Sequence, residues 1–101
     1  MNKRIEVIDE EVVVTLRGSM FLEDSTELRK NIVNQIDRHN ATIVVDLTEL
    51  YFIDSAGLGM LICLHRRATQ YGGSVILKGP TGFVKEIIDV TRLNNVFEIR
   101  Q

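Results

Sequence analysis

The sequence predicts an α/β domain built on a mixed, mostly parallel β-sheet that opens with a hairpin. Three observations carry this expectation: β-branched runs that alternate with amphipathic stretches, turn residues at the boundaries between them, and a nearly unbroken apolar run in mid-chain. The implied order is strand, strand, helix, strand, helix, strand, helix, strand, with right-handed crossovers joining the parallel strands. About three main helices are expected, mainly on one face of the sheet. At 101 residues the chain is expected to be one domain, 1–101, and a domain of that size buries roughly two-thirds of its unfolded surface.

Arg4 to Asp9 places Ile5, Val7 and Ile8 as inward candidates, and a second run, Val12 to Leu16, follows the acidic break Asp9-Glu10-Glu11. Together they read as the hairpin. Asp24-Ser25-Thr26-Glu27 has capping-box spacing with Asp24 as the cap, and Leu28, Ile32, Val33 and Ile36 recur at helical intervals up to His39-Asn40. Thr42 to Leu47 is the apolar run, expected to be central in the sheet and covered by helices on both faces. A short loop then leads to a second helix, Ser55 to Tyr71, closed by Gly72-Gly73, with Gly57, Leu58, Leu61, Leu64 and Ala68 on its buried stripe. Ser74 to Lys78 forms another strand and Gly79-Pro80 a turn. Phe83, Val84, Ile87 and Ile88 line a third helix, and Val96 to Ile99 form the last strand.

Lys and Arg total 12 against 14 Asp and Glu, a net charge of −2, so no basic stripe is available to neutralise a nucleic-acid backbone. Cys63 is the single cysteine, which rules out an internal disulfide or a multi-cysteine zinc site and fits intracellular, cytoplasmic residence. Met1-Asn2-Lys3-Arg4 runs directly into strand-like residues without the apolar segment of a signal peptide or membrane span. No membrane association and no cofactor are expected.

The stretch with chemical content is Asp46 to Gly59, where a buried strand leads to the second helix. Ser55 is expected at the N-cap of that helix, where unpaired N–H groups and the helix dipole can hold an anion. A Ser after an Asp at a helix start most often serves only as a cap. Here Ala56, Gly57 and Gly59 leave the hydroxyl sterically open. Gly57 falls on the inward stripe and Gly59 outward, so Gly59 favours contact from outside. Met60, Cys63 and Arg67 lie opposite or beside the stripe and are candidate contacts, whereas Arg66-Arg67 also reads as a solvated face. Met20, Phe21 and Leu22 are candidates for a partner-facing patch, with two of the three expected to fold back into the core. His39 and His65 are isolated and carry no site.

Val44 to Gly59, with its Asp54-Ser55 pair, resembles the signature of STAS domains, especially the bacterial anti-sigma factor antagonists. Gly18, Gly72-Gly73 and the segment Leu93 to Phe97 match as well, so the resemblance spans almost the whole chain. It implies a STAS fold and partner switching: an anti-sigma factor that is a serine kinase with a histidine-kinase-like ATPase domain binds the unmodified antagonist, and phosphorylates it on the serine matching Ser55. A metal-dependent serine phosphatase reverses the step. Asp54 matches the acidic neighbour; Ala56, Gly57, Gly59, Met60, Cys63, Met20 and Phe21 become switch or partner-contact candidates. One departure is visible, because many members carry an acidic residue where this chain has Phe21.

An enzyme is not expected. A nucleophile elbow around Ser55 wants Gly at the position of Ile53, no His follows His65, and Gly79-Pro-Thr-Gly82 lacks the spacing and ending of a phosphate-binding P-loop. The alternative to a sigma-factor regulator is a STAS adaptor whose pathway ends on an enzyme, a transporter or secretion.

Overall fold

The computed structural model describes residues 1–101. Strands β1 (Asn2–Ile8), β2 (Glu11–Met20), β3 (Thr42–Ile53), β4 (Ser74–Lys78) and β5 (Glu98–Arg100) lie side by side in sequence order. β1 is antiparallel to β2, and every later pairing is parallel. The parallel crossovers carry α1 (Leu22–Val33), α2 (Ser55–Gln70) and α3 (Gly82–Val90), the last followed by a 3₁₀ turn at Leu93–Asn95. Because each crossover steps in the same direction across the sheet, uniform right-handedness puts all three helices on one side. The core agrees: Val12, Val14, Leu16, Ile43, Val45, Leu47, Val75 and Leu77 share one sheet face and cluster with Leu28 and Ile32 of α1, Leu61 and Leu64 of α2, and Val84 and Ile88 of α3.

The α/β class, the hairpin, the central β3 and the one-sided helix layer match the sequence expectation, and several details differ. β3 is not sandwiched between helices. Its reverse face holds Val44, beside Val13 and Ile76, and Val44 and Ile76 are buried by neighbouring side chains although no helix covers them. β1 is an edge strand, so Val7 and Ile8 are each 47% exposed rather than inward. Its turn is a two-residue connection with Asp9 and Glu10 both at positive φ (50° and 66°), the conformation that Asn-Gly serves best.

α1 begins earlier and ends earlier than its apolar spacing suggests. Phe21 is its N-cap, and Asp24 stands three residues in, where its carboxylate accepts the Phe21 N–H at 3.0 Å. After Val33 the chain tightens into i→i−3 turns, and the Asp37 carboxylate accepts the N–H groups of His39 and Asn40, which releases them from helical bonding. Ile36 stays buried outside the helix. On α3, Val84 and Ile88 point inward but Phe83 is 45% exposed. The final strand starts after Phe97, a buried anchor, while Val96 is exposed.

β3 is also twice the length of its apolar run, so the loop expected before α2 does not exist. Beyond Asp46 the strand continues through two bulges against β2, so that Leu47, Leu50 and Ile53 are buried at a spacing of three, Glu49 and Tyr51 are exposed, and Arg17 of β2 pairs with Glu49 at 3.1 Å. β4 stops opposite Asp46, so the paired ends of β2 and β3 project past the rest of the sheet. Two close approaches join the ends of β4 to β3 and the residue before it. A Cβ on Gly73 would fall 1.9 Å from the Ala41 carbonyl oxygen, and one on Gly79 would fall 2.4 Å from Thr48 Oγ1.

Asp46 marks the point where β4 ends. Its burial works against the charge, but hydrogen bonds from the Thr48 hydroxyl (2.6 Å) and N–H (3.0 Å), with Lys78 and Arg17 nearby, outweigh that and hold the carboxyl below its ordinary range. A carboxyl depressed in the fold stabilises above the unfolded value and loses that contribution as pH falls through the folded one. Asp46→Asn is therefore expected to lower urea-unfolding stability at pH 6 by up to about 1 kcal/mol, with the gap closing below about pH 4. A gap that widens on acidification would contradict the assignment. In the hairpin, Glu10→Gly relieves a left-handed non-glycine residue and is expected to raise the unfolding midpoint, by about 1 kcal/mol in stability.

Candidate functional site

The projecting end of the β2–β3 pair sets the position of Asp54 and Ser55. Met20 pairs with Ile53, and one residue on, the Asp54 N–H donates to the Met20 carbonyl at 3.4 Å, so the start of α2 is tied to the end of β2. Asp54 is the N-cap. Its backbone is extended (φ −95°, ψ −179°), its carboxylate accepts the Gly57 N–H at 2.9 Å, and its carbonyl accepts the Leu58 N–H at 3.1 Å.

Ser55 is thus the first helical residue, not the cap expected from sequence. An Asp and a Ser in succession both have cap chemistry, and the sheet decides between them by holding Asp54 extended. Ser55 is exposed and its side chain makes no hydrogen bond within the chain. The N–H groups of Ser55 and Ala56 have no carbonyl partner, because the residues four positions earlier belong to β3. An exposed hydroxyl therefore stands at the positive end of a sixteen-residue helix.

Behind Gly57 the packing is tight. A Cβ there would lie 2.5 Å from Ile53 Cγ1 and 3.5 Å from Met20 Cε, so glycine lets α2 start directly against β3. This buries Gly57, and its candidacy as a partner contact is corrected to a packing role. Met60 (4% exposed) and Met20 (0%) are corrected in the same way. Met60 joins the buried stripe with Leu61, Leu64 and Ala68, while Leu58 is only half-buried. Gly59 is open, with nothing within 4 Å of an added Cβ, and Ala56 and Cys63 are half-buried.

Of Met20, Phe21 and Leu22, only Met20 enters the core; Phe21 is 49% and Leu22 59% exposed. Phe21 belongs to a row that sequence reasoning missed. Its ring lies 5.3 Å from that of Phe52, which stacks on Phe83 at 5.4 Å and 8°. These aromatics come from three distant segments and meet only because β2 and β3 extend together and α3 begins beside them. Simple alternation was not a sufficient signal, because a bulge opposite Gly18 and Ser19 leaves Tyr51 and Phe52 both outside while Leu50 and Ile53 are both buried. On the other side of Ser55, α1 and α2 enclose a groove of about 280 Å³ lined by Leu22, Thr26, Arg29, Ala56, Gly59 and Cys63, among others.

The remaining candidates lie away from this corner. His65 packs edge-on against Phe97 at 5.6 Å, with Nδ1 buried and unpartnered, and His39 sits in the turn after α1. No three His, Cys, Asp or Glu side chains come together in a metal-holding group. No helix is long and apolar enough to cross a membrane.

The division between cap and neighbour is testable by stability alone. Asp54→Ala removes the acceptor for Gly57 and is expected to cost about 0.5–2 kcal/mol in urea unfolding. Ser55→Ala is expected to stay within about 0.5 kcal/mol of wild type, since no bond is lost and Ala is a good helix former. The reverse order of the two effects would make Ser55 the true cap.

A family model for the STAS domain matches residues 2–101. The chain is 24% identical over 101 residues to the anti-sigma-B factor antagonist of Bacillus subtilis, covering 98% of this chain and 92% of that protein. It is 23% identical over 99 residues to BtrV of Bordetella bronchiseptica, covering 98% and 85%. Among solved structures, the anti-sigma factor antagonist SpoIIAA in its unphosphorylated form superposes with a TM-score of 0.87 at 24% identity, over 99% of this chain and 89% of that one. The phosphorylated form of the same Bacillus cell fate determinant gives 0.77 at 23% identity, over 99% and 92%. The fold and the anti-sigma factor antagonist resemblance read from the sequence are thereby supported. The chain belongs to the STAS domain family.

Proposed function

We propose that this protein is a cytoplasmic anti-sigma factor antagonist that works by partner switching. Unmodified, it binds an anti-sigma factor that is also a serine kinase, and phosphorylation of Ser55 ends that binding until a metal-dependent serine phosphatase restores it. The observation that carries the reading is the position of Ser55: an exposed hydroxyl on the first turn of α2, with two free N–H groups beside it, between the Phe21–Phe52–Phe83 row and the α1–α2 groove. Its relatives support it by name, the B. subtilis protein as an anti-sigma-B factor antagonist and SpoIIAA as an antagonist with a phosphorylated form.

The physics of the switch follows from that position. Phosphorylation adds roughly −1.5 to −2 charges, which the helix terminus favours by about 0.3–1 kcal/mol while the surface is in water. A partner that covers the aromatic row must strip water from the phosphate, and a penalty of about 3 kcal/mol lowers affinity roughly a hundredfold. The fold need not change, because Asp54 carries the cap. Phe21 at a position that is acidic in many relatives removes a negative neighbour and adds apolar contact area, with Asp24 engaged on the Phe21 N–H.

With the cognate serine kinase and ATP, wild-type protein is expected to gain one phosphate by intact mass and Ser55→Ala none. Ser55→Asp is expected to weaken kinase binding at least tenfold by calorimetry. Equal phosphate uptake by Ser55→Ala would remove Ser55 from the role. Unchanged affinity of Ser55→Asp would remove charge exclusion as the mechanism.

A further inference from the structure

The groove beside Ser55 does not end at Cys63. A second hollow of about 220 Å³, lined by Arg29, Val33, Cys63, Arg66, Arg67 and Gln70, shares Arg29 and Cys63 with the first, so one trough runs between α1 and α2 along most of their length. On α2 it extends from Ala56 to Gln70, about 21 Å at 1.5 Å per residue. Its two halves differ in chemistry. The end near Ser55 offers Leu22, Ala56 and open Gly59. The far end offers three guanidinium groups and no carboxylate.

Those arginines are unclaimed within the molecule. The ion pairs use Lys3, Arg4, Arg17, Lys85 and Arg100 as their cations, and the Arg29 side chain makes only a 3.9 Å contact to Cys63 Sγ. In a chain of net charge −2, three unpaired arginines converge from two helices on one hollow. A basic residue in a last turn complements the helix dipole. That accounts for Arg67 but not for Arg29, which precedes the last turn of α1, nor for the convergence.

The geometry points to a docking trough for a partner segment that is apolar at one end and acidic at the other, lying along α1 and α2 with its acidic end on Arg29, Arg66 and Arg67. Charge complementarity selects carboxylates. The length selects a peptide over a small anion, since about 21 Å matches a helix of about fourteen residues and far exceeds one phosphate. The inference rests on the proposed function only in placing a protein partner next to Ser55. The arginine end would hold the partner without touching the serine, supplying affinity and electrostatic steering.

The probe is a fourteen-residue synthetic peptide with leucines in its first half and glutamates in its second, titrated into labelled full-length protein and followed by NMR. Saturable shifts confined to the trough are expected. Binding should weaken at least tenfold in Arg66→Glu/Arg67→Glu, and independently in Arg29→Glu, which sits on the other helix; all three side chains are exposed, and spectral dispersion checks that the variants fold. The same peptide with lysines in place of glutamates should not bind. Equal binding of the lysine peptide, shifts mainly outside the trough, or no saturable binding to wild type would each overturn the inference. Ser55→Ala separates the two proposals: it should abolish phosphate uptake while leaving peptide binding unchanged, so a failure of one leaves the other standing.

Discussion

The corner that carries Asp54 and Ser55 depends on the pairing of β2 with β3 beyond the end of β4. Met20 opposite Ile53, followed by the Asp54 N–H on the Met20 carbonyl, fixes where β3 stops and α2 starts. If β3 ended at Leu47, as its apolar run suggests, Asp54 and Ser55 would sit on a loop with many conformations. As a strand it delivers Asp54 in an extended backbone, the geometry of an N-cap, and so leaves Ser55 as the first helical residue with its hydroxyl in water. The same extension places Phe52 between Phe21 and Phe83. Cap, hydroxyl and aromatic row share one cause.

Sequential strand order makes the domain strongly two-sided. With every helix on one face, the apolar residues of that face can be large and continuous, and the reverse face carries a short Val13–Val44–Ile76 row shielded by its neighbours. The helix layer approaches the sheet closely where Gly57, lacking a Cβ, meets Ile53. α1 and α2 then lie as neighbours running in the same direction, which is why a trough can follow both from the serine end to the arginine end.

Much of this architecture is legible in the sequence because it is written in periodicity. The hairpin, the central strand, three helices and their one-sided placement follow from apolar spacing and crossover handedness, and the Val44–Gly59 signature points to the STAS family. What escapes is set by tertiary register. Thr48 and Glu49 read as a loop because two polar residues adjoin, yet they continue a strand whose partner, β2, is out of sight in the sequence. Met60 lies only one position from Leu61, and the breadth of the buried stripe, not its period, decides that both are covered. The choice between Asp54 and Ser55 as cap is likewise made by the sheet, and the three aromatics are too far apart in sequence to signal a cluster.

The contact between Gly57 and Ile53 has a kinetic meaning. The first turn of α2 has no slack: moving it toward β3 drives backbone into a buried isoleucine, and moving it away opens the core beneath Met20. Under the proposed function, a phosphate at position 55 would therefore act on the surface where it sits rather than by sliding α2 against the sheet. The response time of the proposed switch would then be set by encounter with its partners and by chemistry at one hydroxyl.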